Sequence, residues 1–454
     1  MSIYKECDIR GIYGKELDNN EAKLIGKSIA TILDGATVVV GGDARNSTRE
    51  LKKQLIEGLI SCGCSVIDIG TIPTPVLYFA KGFLKTAGSV MVTASHNPAQ
   101  YNGFKITVGE MPVTPEDIEM IANLVESKDF LQSQNHGSLI TRDIQNNYTD
   151  FLKGLVKDSK ALSIVIDCCN GAASEIVPRL LKDLGHEVIE LFCSFDGSFP
   201  NRDPNPSAEK NLEVLKAKVI AEKADLGIAF DGDGDRAIFI DDKGRFCEAE
   251  KTFVVLLKHY LKETVSNVVY DAKSSSIVKK TIKKLGSIPI MERSGHAFMK
   301  RTFLENNSIL AGEVSGHYFF GELGFDDGIY AAIKMAEIIA KSDKTMFKLI
   351  NEIESTVITP DIRIEMSPQK VDYILNYMQD YAKNYQASYL DGVRIELPKG
   401  WVLVRKSVTE PCITIRLEAD SLAEAEKINR DIFYDDNFDI YTAVAKSLRA
   451  WVAG

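Results

Sequence analysis

DLGIAFDGDGDR, residues 225–236, is an apolar run that leads directly into three aspartates separated by glycines. The apolar part has the length and composition of a buried β-strand, so the acidic loop follows the strand's carboxyl end. Two other segments, residues 93–98 and 312–317, also place polar, reactive side chains directly after an apolar strand. In open α/β sheets, ligands bind at this end of the strands. The three loops therefore predict one shared cleft.

A unit of strand, helix, strand, helix and strand surrounds each loop. The predicted strands are 36–41, 65–69 and 88–93 in the first unit, 163–167, 187–191 and 225–230 in the second, and 267–271, 287–291 and 308–312 in the third. Helices are predicted between them, near 49–61, after 171, near 208–222, up to 285 and after 296. Strands alternating with helices indicate parallel sheets covered by helices.

The last hundred residues follow another pattern, because their strands are short and joined by turns. The predicted elements there are strands 361–365, 392–397, 401–405 and 412–417 and helices 369–382 and 421–433. The predicted fold class is thus α/β, with three repeated mixed α/β domains and a C-terminal α+β domain built on an antiparallel sheet. The predicted domains are 1–146, 147–244, 245–355 and 356–454.

Composition restricts the class of protein. The chain has 454 residues, of which 45% are hydrophobic and 26% charged, the balance of a globular protein. Its formal net charge is -10 and it has no dense basic run, so nucleic acid is not an expected partner. It has no apolar run near the ~18 residues of a membrane span, so we expect a cytoplasmic protein that does not bind a membrane. The eight cysteines lack zinc-site spacing and are predicted to be reduced, mostly buried thiols.

The acidic loop is predicted to bind magnesium. Asp231, Asp233 and Asp235 are hard oxygen ligands on a flexible backbone, which suits this cation. One alternative is a solvated acidic turn. Another is a calcium EF-hand loop, which needs glycine at its sixth position and glutamate at its twelfth, whereas this loop has Arg236 and Asp242.

The serine loop TASHNP, residues 93–98, contains the candidate nucleophile Ser95. A lone serine at such a position more often caps a helix. The loop has no G-x-S-x-G elbow, and His96 is too close in sequence to be the base of a hydrolase triad. A phosphoserine whose negative charge is balanced by a magnesium ion fits these loops better than a hydrolase nucleophile does.

On four segments the chain resembles the α-D-phosphohexomutases, especially their phosphomannomutase/phosphoglucomutase branch. The segments are TASHNP at 93–98, DGDGDR at 231–236, GEVSGH at 312–317 and RKSVTEP at 405–411. The resemblance extends over essentially the whole chain and implies a heart-shaped, four-domain protein with one loop from each domain in a central cleft. It departs from the family at Cys7, where a tyrosine often precedes the Asp-Ile-Arg-Gly segment.

The resemblance also implies roles for individual residues. The implied catalytic residues are Ser95, Arg10, Lys105, Arg236, His296 and His317. The implied substrate-binding residues are Lys273, Glu313, Ser315, Arg405, Ser407 and Thr409. The implied magnesium ligands are Asp231, Asp233, Asp235 and a phosphate oxygen on Ser95. Three further histidines match no motif and are predicted to be structural: His136, His186 and His259.

The resemblance implies interconversion of hexose 1-phosphate and hexose 6-phosphate, with mannose or glucose as the sugar. A phosphoserine and a hexose 1,6-bisphosphate intermediate, which is also an activator, carry the phosphate. Lys105, His296 and His317 are all candidates for the general base. Phosphoglucosamine mutase is the alternative within the family, although Val314 and His296 favour the mannose/glucose branch. A non-catalytic sugar-phosphate sensor is the alternative from another class. We expect a monomer or homodimer.

Overall fold

The computed structural model describes residues 2–157, 160–407, 412–434 and 437–453. The strands form four sheets, and each sheet takes its strands from one of four successive segments of the chain. Three sheets mix parallel and antiparallel pairs, and the fourth is antiparallel throughout. The predicted fold class is confirmed. The predicted domain boundaries remain predictions.

The first sheet has the order β1-β5-β4-β2-β3-β7, with β6 paired to β5. Its strands are β1 (Ile9–Ile12), β2 (Val38–Gly42), β3 (Val66–Thr71), β4 (Gly88–Val92), β5 (Tyr101–Val108), β6 (Met111–Pro112) and β7 (Leu139–Thr141). The helices are α1 (Asn19–Ile32), α2 (Thr48–Ser61), α3 (Thr74–Leu84), α4 (Pro115–Ser127) and α5 (Gln145–Gly154), which leads to the next sheet. Strand β2 reads Val-Val-Val-Gly-Gly and is buried at every position, as a central parallel strand covered on both faces should be.

The second sheet has the order β12-β11-β10-β8-β9. Its elements are β8 (Ser163–Asp167), α6 (Ile176–Asp183), β9 (Glu187–Leu191), α7 (Glu213–Glu222), β10 (Leu226–Phe230), β11 (Ala237–Ile240) and β12 (Phe246–Cys247). Short 3-10 turns at Ala172–Ser174 and Glu209–Leu212 precede α6 and α7.

The third sheet has the order β14-β13-β15-β16-β17. Its elements are α8 (Ala249–Tyr260), β13 (Asn267–Asp271), α9 (Ser276–Lys284), β14 (Ile288–Glu292), α10 (His296–Glu305), β15 (Leu310–Gly312), β16 (Tyr318–Phe320), β17 (Phe325–Asp326), α11 (Gly328–Lys341) and α12 (Met346–Asn351).

The fourth sheet has the order β18-β23-β22-β21-β20, with β19 paired to β23. Its elements are β18 (Val357–Ile358), β19 (Ile362–Glu365), α13 (Pro368–Ala382), β20 (Gln386–Ser388), β21 (Val393–Leu397), β22 (Gly400–Lys406), β23 (Cys412–Ala419), α14 (Leu422–Phe433) and α15 (Phe438–Ala453). Among the described residues, no helix combines the length and apolar character that a membrane span needs.

The first three sheets are joined by one continuous apolar cluster, in which Val39, Phe230 and Tyr318 represent the three segments. Helix α11 is buried along most of its length because it packs inside this cluster. The fourth sheet has an apolar core of its own. Its contacts with the third segment include several polar ones: Glu418 accepts hydrogen bonds from Ser276 N at 2.8 Å and Ser276 Oγ at 2.7 Å. The first three segments therefore share a core, and the fourth docks on them partly through charged and hydroxyl groups.

Candidate active site

The acidic loop connects β10 to β11, and its three aspartates are fully buried. One oxygen from each of Asp231, Asp233 and Asp235 lies within 4.8 Å of the others. A Cβ on Gly232 would lie 2.5 Å from the carbonyl oxygen of Ser95, so only glycine allows the two loops this approach. The acidic loop thus brings three carboxylates together, and the serine loop packs against them.

Lys105 partly neutralises the aspartates, and Thr74 donates a hydrogen bond to one of them. Asp233 Oδ2 accepts hydrogen bonds from Thr74 Oγ1 at 2.6 Å and Lys105 Nζ at 2.8 Å, and Lys105 also pairs with Asp235. Burial alone would raise the pKa of Asp233, but the ammonium outweighs it and the pKa is lowered. Burial and the two neighbouring carboxylates instead raise the pKa of Asp231 well above its usual range.

The acidic loop has unused capacity for a cation. The Oδ1 atoms of Asp233 and Asp235 are buried and have no hydrogen-bond partner in the described part of the chain. Buried carboxylate oxygens are rarely left unpartnered, because their desolvation is costly. With hard oxygen donors grouped in this way, the residues present fit a magnesium ion.

Ser95 lies directly beside this acidic loop. Its Oγ donates to Asp231 Oδ2 at 2.7 Å and lies 3.3 Å from His96 Nδ1. Its backbone is in the left-handed region, with φ of +50°, which is uncommon for a residue other than glycine. Burial lowers the pKa of His96 well below its usual range, so this neighbour is neutral.

Arg45 holds the serine loop in this strained conformation, a role that the sequence motifs did not indicate. The side chain is buried and donates to the carbonyl oxygens of Ser95 at 2.8 Å, Asn97 at 2.6 Å and Pro98 at 2.8 Å. Its Nε pairs with Asp43 at 3.0 Å, so the buried guanidinium is compensated. The only sequence signal for this clamp is the Asp-Ala-Arg segment after β2, which resembles an ordinary turn.

Arg236 and His317 come together beside the aspartates. Arg236 Nε donates to His317 Nε2 at 2.9 Å and lies 3.8 Å from Asp231 Oδ2. His317 Nδ1 is 2.9 Å from Asp326 Oδ2, and accepting from Arg236 at Nε2 places the imidazole proton on Nδ1. Asp326, another residue that the motifs did not indicate, therefore fixes the ring of His317. Arg10 contacts the serine loop, because its Nη1 donates to Asn97 Oδ1 at 2.6 Å.

The loop at residues 312–317, named the sugar loop below, and α10 contribute three further predicted residues. The ring of His296 is stacked near that of His317, with centroids 5.9 Å apart, and burial lowers its pKa to about 3. Glu313 is buried and accepts a hydrogen bond from Gly295 N at 2.9 Å. The nitrogens of His296 and the hydroxyl of Ser315 are buried without a hydrogen-bond partner among the described residues. His317 Nδ1 lies 3.8 Å from Asp235 Oδ1, so the stacking on His317 brings His296 close to the acidic loop.

The remaining predicted residues lie toward the fourth segment. Lys273 pairs with Asp361 at 2.9 Å, and Arg405 Nε lies 2.9 Å from Asp391 Oδ1. Ser407 follows β22 and is partly exposed. Thr409 lies outside the described residues.

Side chains predicted to be structural lie away from these contacts. His186 accepts a hydrogen bond from Leu162 N at 3.2 Å, His259 packs against the ring of Tyr260, and His136 is exposed. None of the eight cysteines, all of which lie in the described part of the chain, forms a disulfide, and six of them are buried. Cys7 is one of the two that are partly exposed.

Comparison with known proteins matches the chain to four family models in succession. They are the phosphoglucomutase/phosphomannomutase alpha/beta/alpha domains I (residues 1–132), II (146–244) and III (248–356) and the C-terminal domain (365–434).

Whole-length relatives agree with the family models. A phosphomannomutase/phosphoglucomutase from Pseudomonas aeruginosa is 39% identical over 435 residues, which covers 94% of each chain. A phosphoglucomutase from Neisseria gonorrhoeae is 36% identical over 436 residues, covering 94% of this chain and 95% of the relative. The crystal structure of a phosphoglucomutase/phosphomannomutase family protein from Burkholderia thailandensis superposes with a TM-score of 0.89 at 32% identity, covering 98% of both chains.

Proposed function

Since the chain belongs to the phosphoglucomutase/phosphomannomutase family of α-D-phosphohexomutases, we propose that it interconverts hexose 1-phosphate and hexose 6-phosphate of mannose or glucose through a phosphoserine at Ser95. The observation that carries the proposal is the 2.7 Å contact between Ser95 Oγ and Asp231 Oδ2. It places a hydroxyl that can carry a phosphoryl group at the edge of three buried carboxylates. Two separate segments of the fold supply the two sides of this contact.

The proposed reaction has two phosphoryl transfers. In the first, the bond between phosphorus and Ser95 Oγ breaks while the free hydroxyl of a hexose monophosphate bonds to phosphorus and loses its proton to a base. The hexose 1,6-bisphosphate then turns over in the cleft. In the second transfer, the bond between its other phosphorus and the sugar oxygen breaks, Ser95 Oγ bonds to that phosphorus, and the sugar oxygen takes the proton back from the base. Such transfers depend mainly on positioning and on the stabilisation of negative charge. Arg10, Arg236 and Lys105 supply the positive charges that stabilise it.

The contacts bear on the choice of base. Lys105 donates to two carboxylates, so it serves as a fixed positive charge rather than as a proton acceptor. His296, whose ring nitrogens have no hydrogen-bond partner among the described residues, then remains as the acceptor for the hydroxyl proton, whereas His317 Nε2 already accepts from Arg236. Both lie on the side of the cleft formed by the third segment, with Glu313 and Ser315.

Asp231, Asp233, Asp235 and an oxygen of the phosphorylated Ser95 would hold magnesium. Bound there, the cation neutralises negative charge on the phosphoserine and the transferring phosphoryl group. The two unpartnered aspartate oxygens support this assignment.

The substrate contacts divide between sugar and phosphate. Glu313 accepts and Ser315 donates or accepts, which suits hydroxyl groups of a hexose. Arg405 with Ser407 and Thr409 forms the anchor for the phosphate that is not reacting, and Lys273 adds a positive charge nearby. Glu313 and Ser315 are expected to contact hydroxyls other than the one at carbon 2, where mannose and glucose differ.

Substrate preference is tested by a coupled assay with three hexose 1-phosphates. We expect turnover of glucose 1-phosphate and mannose 1-phosphate in the presence of magnesium and a trace of glucose 1,6-bisphosphate. Val314 and His296 favour these sugars over glucosamine 1-phosphate, whose kcat/KM should be lower. A preference for glucosamine 1-phosphate would identify the alternative member of the family. Tight binding of all three sugars without turnover would instead identify a sensor.

Replacing Arg405 by alanine is expected to lower kcat/KM by roughly two to three orders of magnitude, the cost of a charged contact of ~3 to 4 kcal/mol. A guanidinium grips a phosphate with two parallel hydrogen bonds, so the variant should also release more bisphosphate per turnover. Both quantities are measured by starting from phosphorylated enzyme and following free bisphosphate and product together.

Lys406→Ala is the matched control for this variant. Lys406 is the next residue on β22, but its side chain is 56% exposed and lies 3.5 Å from Asp372. Its removal should leave both quantities unchanged. Normal efficiency and normal bisphosphate retention in Arg405→Ala would transfer the anchor role to Arg236 or Arg10.

A further inference from the structure

The turn between β14 and α10 connects two parts of the cleft. The backbone amides of Ser294 and Gly295 are consecutive, yet they donate to carboxylates from different segments. Ser294 N donates to Asp391 Oδ2 at 3.2 Å, and Gly295 N donates to Glu313 Oε1 at 2.9 Å. The turn has a backbone that favours glycine, since φ of Gly295 is +131°. Asp391 and the sugar loop are therefore both hydrogen-bonded to this turn.

Asp391 also contacts the proposed phosphate anchor. Its Oδ1 lies 2.9 Å from Arg405 Nε in an ion pair, and its side chain is only 6% exposed. A Cβ on Gly392 would lie 2.6 Å from Arg405 Cβ and 2.4 Å from the Val404 carbonyl oxygen. Only glycine after Asp391 allows β21 to begin so close to β22, and this approach brings the carboxylate to the guanidinium.

We propose that Asp391 is a positioning residue for the phosphate anchor. Its carboxylate forms an ion pair on the Nε side of the Arg405 guanidinium, where Nε makes no hydrogen bond among the described residues, and the Nη1 and Nη2 edge serves as the fork for a phosphate group. Its second oxygen fixes the Ser294 amide, and the neighbouring Gly295 amide fixes Glu313. The phosphate anchor of the fourth segment and the sugar acceptor of the third are thereby connected through two consecutive backbone amides.

This inference rests on the proposed function, because it acts through Arg405. It differs from a purely structural role in a predictable way. A carboxylate that only stabilised the turn at Asp391 would change the melting temperature and leave the kinetics of folded protein unaltered. A positioning carboxylate changes KM and bisphosphate retention in folded protein.

Asp391→Asn tests the proposal directly, because asparagine keeps an oxygen for the Ser294 amide and removes the charge facing Arg405. We expect KM for glucose 1-phosphate to rise about tenfold, with kcat changed less than about threefold, as for a lost charged contact in substrate binding. Bisphosphate release per turnover should also rise. The matched control is Asp372→Asn, which removes an exposed carboxylate near the next residue of β22. It should leave both quantities unchanged.

A double-mutant cycle with Arg405→Ala separates this role from others. If Asp391 acts through Arg405, Asp391→Asn should change KM by less than about twofold once Arg405 is absent. A further tenfold loss in that background, or a normal KM for Asp391→Asn alone, would overturn the inference.

A second variant of Asp391 and the comparison with Arg405→Ala separate failure of the positioning role from failure of the proposed anchor. Should Asp391→Asn fold poorly, Asp391→Glu keeps the charge but displaces it by one methylene group, and the positioning role still requires a raised KM. A defect in Arg405→Ala together with normal kinetics in both Asp391 variants would reject only the positioning role. Normal kinetics in Arg405→Ala itself would reject the proposed anchor as well.

Discussion

Replacing Ser95 by alanine is expected to abolish mutase turnover, with a loss of about four or more orders of magnitude, the scale of removing a nucleophile. Every turnover in the proposed reaction takes its phosphoryl group from Ser95 and returns one to it. Among the neighbouring groups, Asp233 and Asp235 are paired with the Lys105 ammonium, and none of the described neighbours is a second hydroxyl on the same loop position. The measurement is the coupled assay with glucose 1-phosphate, together with the mass of the protein after incubation with glucose 1,6-bisphosphate.

The variant should still fold. Alanine meets the same strain as serine at φ of +50°, and Arg45 continues to hold the loop carbonyls. The lost hydrogen bond leaves one oxygen of Asp231 without its hydroxyl donor, which costs about 1 to 3 kcal/mol of unfolding free energy. Circular dichroism melting separates this moderate cost from a collapse of the fold.

Ser89→Ala is a matched control, since Ser89 is a buried serine on β4 whose hydroxyl has no partner among the described residues. We expect wild-type turnover and the mass increase of one phosphoryl group in this control, and neither in Ser95→Ala. Wild-type turnover in Ser95→Ala would reject the phosphoserine reaction, whatever its melting temperature.

Much of the site was predictable from the sequence because its residues lie in short motifs at strand ends. Strands β4, β10 and β15 end where the apolar runs end, and the polar loops follow at once. Alternation of strands and helices then requires the loops to lie at one edge of each sheet. Local pattern alone therefore made Ser95 and the three aspartates candidates without knowledge of the packing, whereas Glu313 became a candidate only through the family resemblance.

The residues that support the site were not predictable in the same way. Arg45 donates to carbonyl groups about fifty residues away in the chain. Every residue has a backbone carbonyl, so the sequence does not show which of them a side chain will contact. Asp326 reaches His317 only because β16 and β17 form a hairpin, and these strands of three and two residues are too short for a periodicity signal. The predictions also missed β5 and β11, the antiparallel strands that return after the loops. The register of β5 brings Lys105 to the aspartates.

Removing magnesium is expected to stop turnover, and Asp233→Asn is expected to weaken magnesium binding by at least about tenfold, since it replaces an anionic oxygen ligand by a neutral amide. A chelator should abolish activity, and excess magnesium should restore it. The affinity itself is measured by titration calorimetry on chelator-treated protein, which does not depend on turnover. Activity against magnesium concentration should shift by the same factor.

Asp233 also pairs with Lys105 and Thr74, so the loss of a ligand has to be separated from the loss of these contacts. Lys105→Met removes the same ion pair and keeps all three carboxylates. Because the ammonium and the metal both need negative oxygens from Asp233 and Asp235, its removal should leave magnesium affinity equal or higher. Asp203→Asn, an exposed carboxylate in the same segment whose Oδ1 accepts from Asn205 N, should change nothing.

The three variants together decide what the acidic loop does. Weaker binding in Asp233→Asn alone means that the carboxylates are ligands, and that Lys105 occupies part of their capacity when the metal is absent. Equal weakening in Lys105→Met would mean that the ion pair shapes the loop and that Asp233 acts through it. An unshifted magnesium curve in Asp233→Asn would mean that the aspartates serve only to hold Lys105 and Ser95, and the cation would then have to bind elsewhere in the cleft.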